Sequence, residues 1–177
     1  MEQKGMATLD YARSLNIVLV EPEIPGNTGS IGRLCVGLDI TLTLIEPLGF
    51  SLEDKYMRRA GLDYWPHLKW RTLPDLEALW GLAGPEARFF YFTTKTDRPY
   101  GEVQYRPGDF LVFGKETKGL PESLLRRFPE RVFTIPMYGK TRSLNLAMSV
   151  GIVAYEAVRQ VSDGFSKTPW PMSPPDA

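Results

Sequence analysis

Residues 134–161, TIPMYGKTRSLNLAMSVGIVAYEAVRQV, pass from a β-prone run through a polar, glycine-containing loop into a long helical segment. Residues 131–135 carry enough apolar side chains for a short buried strand, residues 136–142 form the loop, and Ser143 stands where an N-cap belongs. In the helix that follows, Leu144, Leu146, Ala147, Met148, Val150, Ile152, Val153, Ala154 and Val158 cover nearly every azimuth. A helix that is apolar all round must be buried on more than one side, and a single sheet face covers only one. Either a second layer of the same chain or a partner subunit has to cover the remainder. The small residues Ala147, Ser149, Gly151 and Ala154 permit close approach and favour the partner subunit.

A chain of 177 residues has one domain's worth of length, enough for a core that needs neither disulfide nor metal. Cys35 is the only cysteine and His67 the only histidine, which excludes an internal disulfide and His-rich metal sites and disfavours a His-centred triad; both read as structural, and no metal is expected. Formal net charge is zero, so any nucleic-acid site must be a local patch. The longest apolar run is too short to span a bilayer, and residues 1–14 lack a signal core. The expectation is a cytoplasmic protein with no membrane partner: a flexible lead-in at 1–14, one domain at 15–161, and a proline-rich tail at 162–177.

Residues 15–20, LNIVLV, form a continuous β-prone run of the kind buried on both faces of a parallel sheet. A turn-rich loop at 21–29 leads to a helix at 29–38, read from the spacing of Ile31, Leu34, Cys35 and Leu38, and then to a strand at 40–45. This is a βαβ unit. Further on, the pattern predicts a charged helix at 53–61, a weak strand at 67–71, a helix at 74–82 that starts on Pro74, strands at 88–93 and 109–113, and a short helix at 121–127. The alternation predicts an α/β fold with a mostly parallel sheet of five to six strands and helices on both faces.

Ligands of open parallel sheets bind at the carboxyl ends of the strands, and three loops with unusual composition leave such ends. The first, PEIPGNTGSIGR, places Asn27 in a turn and Arg33 in the following helix. Its glycines do not have the dinucleotide spacing. The second, FGKETKGLP, puts Gly114 at a strand end and Glu116 between Lys115 and Lys118. The third, PMYGKTRS, contains a Gly-Lys-Thr run, but Thr134 stands where a phosphate loop requires its first glycine. Taken singly, each loop reads as well as a relaxed turn carrying solvated charge.

Taken together and in this order, EPEIPGNTGSIGRLC, LVFGKETKGLP and IPMYGKTRSLNLAMSVGIVAYEA resemble the three motifs of the SPOUT superfamily of RNA methyltransferases. EPLGF at 46–50 and DKYMRRAGLDYW at 54–65 are similar to the minimal enzymes that methylate the ribose of the tRNA wobble nucleotide, cytidine or uridine 34. Ser30 and Gly32 depart from the commoner residues of the first motif. The resemblance implies a homodimer whose C-terminal segment forms a deep trefoil knot, S-adenosylmethionine as methyl donor, and tRNA as partner. It also implies a donor site at Phe92, Gly114, Glu116, Ile135, Met137, Ser143 and Leu144. Arg33 then acts in transfer by orienting the 2′-hydroxyl, since a guanidinium is a very poor base, while Asn27 and Asn145 hold loops and substrate. Arg142, Tyr155, Lys55, Arg58, Arg59, Lys115 and Lys118 are the candidate RNA contacts. Beside this stand a SPOUT enzyme acting on another tRNA or rRNA position, a catalytically idle RNA-binding dimer and, on the α/β pattern alone, a nucleotide-dependent oxidoreductase.

Overall fold

The computed structural model describes residues 14–52 and 62–162. Its strands are β1 (Asn16–Val20), β2 (Thr41–Ile45), β3 (Trp70–Leu73), β4 (Phe89–Phe92), β5 (Phe110–Phe113) and β6 (Val132–Phe133). They form one six-stranded sheet in the order β3-β2-β1-β5-β4-β6, and every pairing is parallel. β1 lies inside the sheet, with Ile17 in register with Leu42 on one side and Leu111 on the other. Its successive side chains point to opposite faces. Ile17 and Leu19 enter a core with Ile31 and Cys35 of helix α1 (Pro25–Leu38) and with Val150, Val153, Ala154 and Ala157 of helix α4 (Leu146–Val161). Val18 and Val20 enter a second core with Leu79 of α2 (Leu76–Ala83) and Leu124 of α3 (Glu122–Arg127). Burial on both faces is why the run LNIVLV is apolar at every position but one instead of alternating; the exception, Asn16, opens the strand and donates its carboxamide to the Ser14 carbonyl at 3.0 Å.

Several boundaries differ from the sequence reading. Helix α1 starts at Pro25, because proline's fixed φ suits the first turn, so Gly26 and Gly29 lie within the helix and Asn27 sits in its opening turn. The weak strand falls at Trp70–Leu73; His67 ends a 3-10 turn, Leu62–His67, that contains Pro66. Pairing with β2, which sets Trp70 beside Leu42, decides that register. Helix α2 starts after Asp75, whose carboxylate accepts the Ala78 N–H at 2.7 Å, and ends at Gly84 with φ of 82°. The helix expected at 53–61 lies outside the described residues.

The cap of α4 is Asn145 and not Ser143. Asn145 Oδ1 accepts the N–H groups of Ala147 at 2.8 Å and Met148 at 3.3 Å, while Ser143 remains in the exposed loop. The carboxamide satisfies two of the amides that a helix start leaves without partners. The all-round apolar character of α4 divides into two stripes. Val150, Val153, Ala154 and Ala157 are buried in this chain's own core, whereas Met148 and Tyr155 remain 59% and 52% exposed. Gly151 lies on the open side, and a Cβ there would meet nothing within 4 Å.

Candidate active site

The first, second and third loops leave β1, β5 and β6 at the same edge of the sheet, and side-chain hydrogen bonds tie them together. Glu116 of the second loop accepts the backbone N–H of Glu23 at 2.8 Å, that of Ile24 at 3.2 Å and the Asn27 carboxamide at 2.9 Å. Asn27 Oδ1 in turn accepts from Asn145 Nδ2 at 2.9 Å. Glu116, Asn27 and Asn145 therefore form one chain across all three loops, and its last member caps α4. A reciprocal contact runs the other way. The Glu23 carboxylate accepts the Thr117 N–H at 3.0 Å and also its hydroxyl, which holds the Glu23 carboxyl below its ordinary range.

Between the second and third loops lies a cleft of about 640 Å³, lined by every residue that the resemblance assigned to the methyl donor: Phe92, Gly114, Glu116, Ile135, Met137, Ser143 and Leu144. Asn27, Asn145, Arg142, Lys115 and Lys118 line it as well. Phe92 and Phe113 stack at the strand ends with centroids 4.9 Å apart, giving it an apolar floor, and loop amides, carboxamides and charged groups form its rim. That mixture fits S-adenosylmethionine, which has an aromatic base to cover and an amino-acid end to solvate.

Gly114 is needed for the fold of its own loop. A Cβ there would overlap the carbonyl carbon of Gly119 and the nitrogen of Leu120, so glycine is required by the turn's own backbone. The turn closes through the Gly119 N–H, which donates to the Lys115 carbonyl at 2.8 Å, with Gly119 at φ of 67°.

The residues read as acting on RNA are less closely gathered. Arg33 is exposed on α1, outside the cleft lining, with its guanidinium 4.7 Å from the centroid of the Tyr64 ring. Tyr64, unassigned from the sequence, is buried and donates its hydroxyl to the Gly29 carbonyl, so it fixes the surface on which Arg33 rests. Lys115 is half-buried and meets Glu21 at 2.5 Å, which holds its ammonium pKa above the ordinary value. Arg142 is exposed at the cleft, Tyr155 is half-exposed on α4, and Lys55, Arg58 and Arg59 lie outside the described residues. Cys35 is fully buried, and burial raises its thiol pKa well above the ordinary value; His67 is exposed. Among the described residues, no group of three or more His, Cys, Asp or Glu is placed to hold a metal, and no helix is long and apolar enough to cross a membrane.

The family model of the SpoU rRNA methylases matches residues 14–155, the whole sheet and most of α4. The chain belongs to the SpoU rRNA methylase family. Among relatives of this SpoU-family chain, a protein of Escherichia coli K12 named tRNA (cytidine(34)-2′-O)-methyltransferase is 47% identical over 148 residues, which cover 83% of this chain and 94% of that one. A solved structure described as giving insights into the 2-OH methylation of C/U34 on tRNA superposes with a TM-score of 0.79 at 45% identity, covering 84% of this chain and 97% of the other. The SpoU methyltransferase AviRb of Streptomyces viridochromogenes, solved in complex with AdoMet, superposes with a TM-score of 0.73 at 25% identity, over 84% of this chain and 58% of that one. The contacts of this SpoU methylase that sequence reasoning missed, Glu23 with Thr117 and Glu21 with Lys115, join residues 94 positions apart. Both carboxylates stand in the quoted first motif, but nothing local marks their partners.

Proposed function

We propose that this SpoU-family chain transfers a methyl group from S-adenosylmethionine to the ribose 2′-hydroxyl of the wobble nucleotide, position 34, of tRNA. The observation that carries the reading is the cleft between the second and third loops, tied to the first by Glu116, Asn27 and Asn145, in a chain 47% identical to a relative named for that reaction. The donor supplies an electrophilic methyl on a sulfonium, so the chain's task is mainly alignment of an in-line displacement. Phe92, Gly114, Ile135, Met137, Ser143 and Leu144 would hold the donor. Glu116 acts on it through loop geometry, since three donors of the first loop already occupy its carboxylate.

Arg33 orients the hydroxyl and the adjacent phosphate, and its fixed charge favours the alkoxide that develops as the hydroxyl proton passes to a phosphate oxygen or water. Because Arg33 does not line the cleft within one chain, this role requires RNA or a second copy to bring it to the donor. The stripe of Met148, Gly151 and Tyr155 left open on α4 supports a homodimer. In this reading the segment from β6, at the edge of the sheet, back to α4, which packs on α1 and β5, forms a trefoil knot. The working compartment in this reading is the cytoplasm. Purified protein, donor and unmodified tRNA, followed by mass-spectrometric mapping of the product, test the reaction. A 2′-O-methyl group at position 34 is expected; methylation elsewhere favours another RNA site, and none in any tRNA or rRNA leaves an RNA-binding dimer.

A further inference from the structure

Beside the donor cleft is a smaller pocket of about 300 Å³, lined by Glu21, Lys95, Lys115, Lys118, Gly119 and Glu122 among others. Lys95, Lys115, Lys118 and Gly119 also line the cleft, so the two cavities share a wall made by the second loop and the segment after β4. Three ammonium groups face two carboxylates there, which leaves a local charge of +1 (three Lys, two Glu) in a protein with no net charge. The lysines are not equivalent. Glu21 holds Lys115 at 2.5 Å and Glu122 holds Lys95 at 3.1 Å, while Lys118 has no carboxylate within ion-pair distance among the described residues. Lys118 is exposed, and the turn closed by the Lys115 carbonyl and the Gly119 N–H sets its position.

We propose that this pocket is a phosphate subsite for the RNA strand, seating a phosphodiester next to the reacting nucleotide, with Lys118 as the direct contact, Lys95 as the second and Lys115 as a pillar. The proposal rests on the RNA methyltransferase reading. A strand whose ribose lies at the donor must carry its neighbouring phosphates past the cleft rim, and the shared wall places within that span the Lys118 ammonium, which no ion pair among the described residues holds and which Glu23 attracts only at longer range. Phosphate contacts set register without reading sequence, which is what an enzyme acting at one nucleotide of a folded RNA needs. Glu21 and Glu122 pre-position two of the lysines and reduce the field so that it does not capture arbitrary polyanions.

The test uses the full-length chain and a tRNA anticodon stem-loop RNA, with affinity measured across a salt series. Lys118→Ala is expected to weaken RNA binding about two- to fivefold and to flatten the log affinity against log salt slope by about 0.7 to 0.9, the change for one phosphate contact. Glu122→Gln, which removes the carboxylate from Lys95, is expected to tighten binding. Donor affinity, measured separately by calorimetry, should not move in either variant. An unchanged salt slope in Lys118→Ala overturns the proposal, as does looser binding in Glu122→Gln. A parallel loss of donor affinity assigns the pocket to the donor instead and equally overturns it. If the wild type itself neither binds nor methylates the RNA, the functional reading fails; if the wild type methylates and the variants behave alike, the subsite alone fails.

Discussion

Glu116→Gln is the substitution from which the structure allows the most detailed expectation. The carboxylate accepts three hydrogen bonds, Oε2 from Glu23 N–H and Oε1 from Ile24 N–H and the Asn27 carboxamide. A glutamine keeps one acceptor oxygen. Its best orientation sets that oxygen toward Ile24 and Asn27, which leaves the new amide facing the Glu23 N–H, donor against donor. One hydrogen bond to a charged group is lost, worth about 1.5 to 3 kcal/mol, and the remaining two lose their charge assistance. For a domain of this size about 1 kcal/mol moves the melting temperature by about 2 to 4 °C, so a fall of about 3 to 12 °C is expected. Because Glu116 also fixes Asn27, and through it Asn145 and the start of α4, donor affinity and transfer rate should fall together. Thermal unfolding by circular dichroism, calorimetric donor titration and single-turnover rates read the three quantities. A melting temperature within about 1 °C of wild type, combined with lost donor binding, would refute the argument and make Glu116 a direct donor contact.

Gly114→Ala should lower stability and donor binding together, because its methyl meets the Gly119 and Leu120 backbone whether or not a ligand is present; an unfolding midpoint equal to wild type would show that the turn can shift. Arg33→Ala should slow single-turnover transfer by roughly 10- to 150-fold, the equivalent of one charge-assisted contact, with donor affinity unchanged; loss of donor affinity in proportion to rate would contradict the assigned role. Met148→Asp, on the exposed stripe of α4, should shift the purified protein from dimer to 20 kDa monomer in light scattering; a wild type that is already monomeric at micromolar concentration removes the basis for this. Asp109 is buried, and burial raises its carboxyl from 3.8 to about 6, against the opposing pull of the Arg106 N–H and of Arg88 at 3.1 Å. The native state therefore holds that proton more tightly than the unfolded chain, so the contribution is complete below about pH 4 and is lost as pH rises through about 6, a change of about 3 kcal/mol. Asp109→Asn should gain on wild type across that window in urea unfolding at stepped pH, and a constant difference would count against it.

Much of the sheet was legible in the sequence because its causes are local. FFYF and FLVF are apolar or aromatic at every position and LNIVLV at all but Asn16, which only a strand buried on both faces tolerates, and the intervening 3.6-residue periods called for helices. The three loops could be named because their residue types are rare in that order, and the structure gathers their donor-site candidates around one cleft. What escaped were choices between local options of nearly equal energy. Ser143 and Asn145 are both competent caps, and Asn145 wins because its Nδ2 also reaches Asn27. Lys115 reads as a solvated cation until β1 and β5, paired side by side, place Glu21 beside it.

Periodicity, burial pattern and motif within a few dozen residues were enough for the α/β class, for a mostly parallel sheet of five to six strands and for the three loops that meet at the cleft. Only the tertiary structure decided which carboxylate holds which loop, that Arg33 lies outside the cleft of its own chain, and that α4 buries one stripe while leaving another open. Those outcomes depend on contacts between residues roughly 90 to 120 positions apart, such as Glu23 with Thr117 and Asn27 with Asn145. No local energy term selects such partners; the sheet order does, by bringing the carboxyl ends of β1 and β5 side by side.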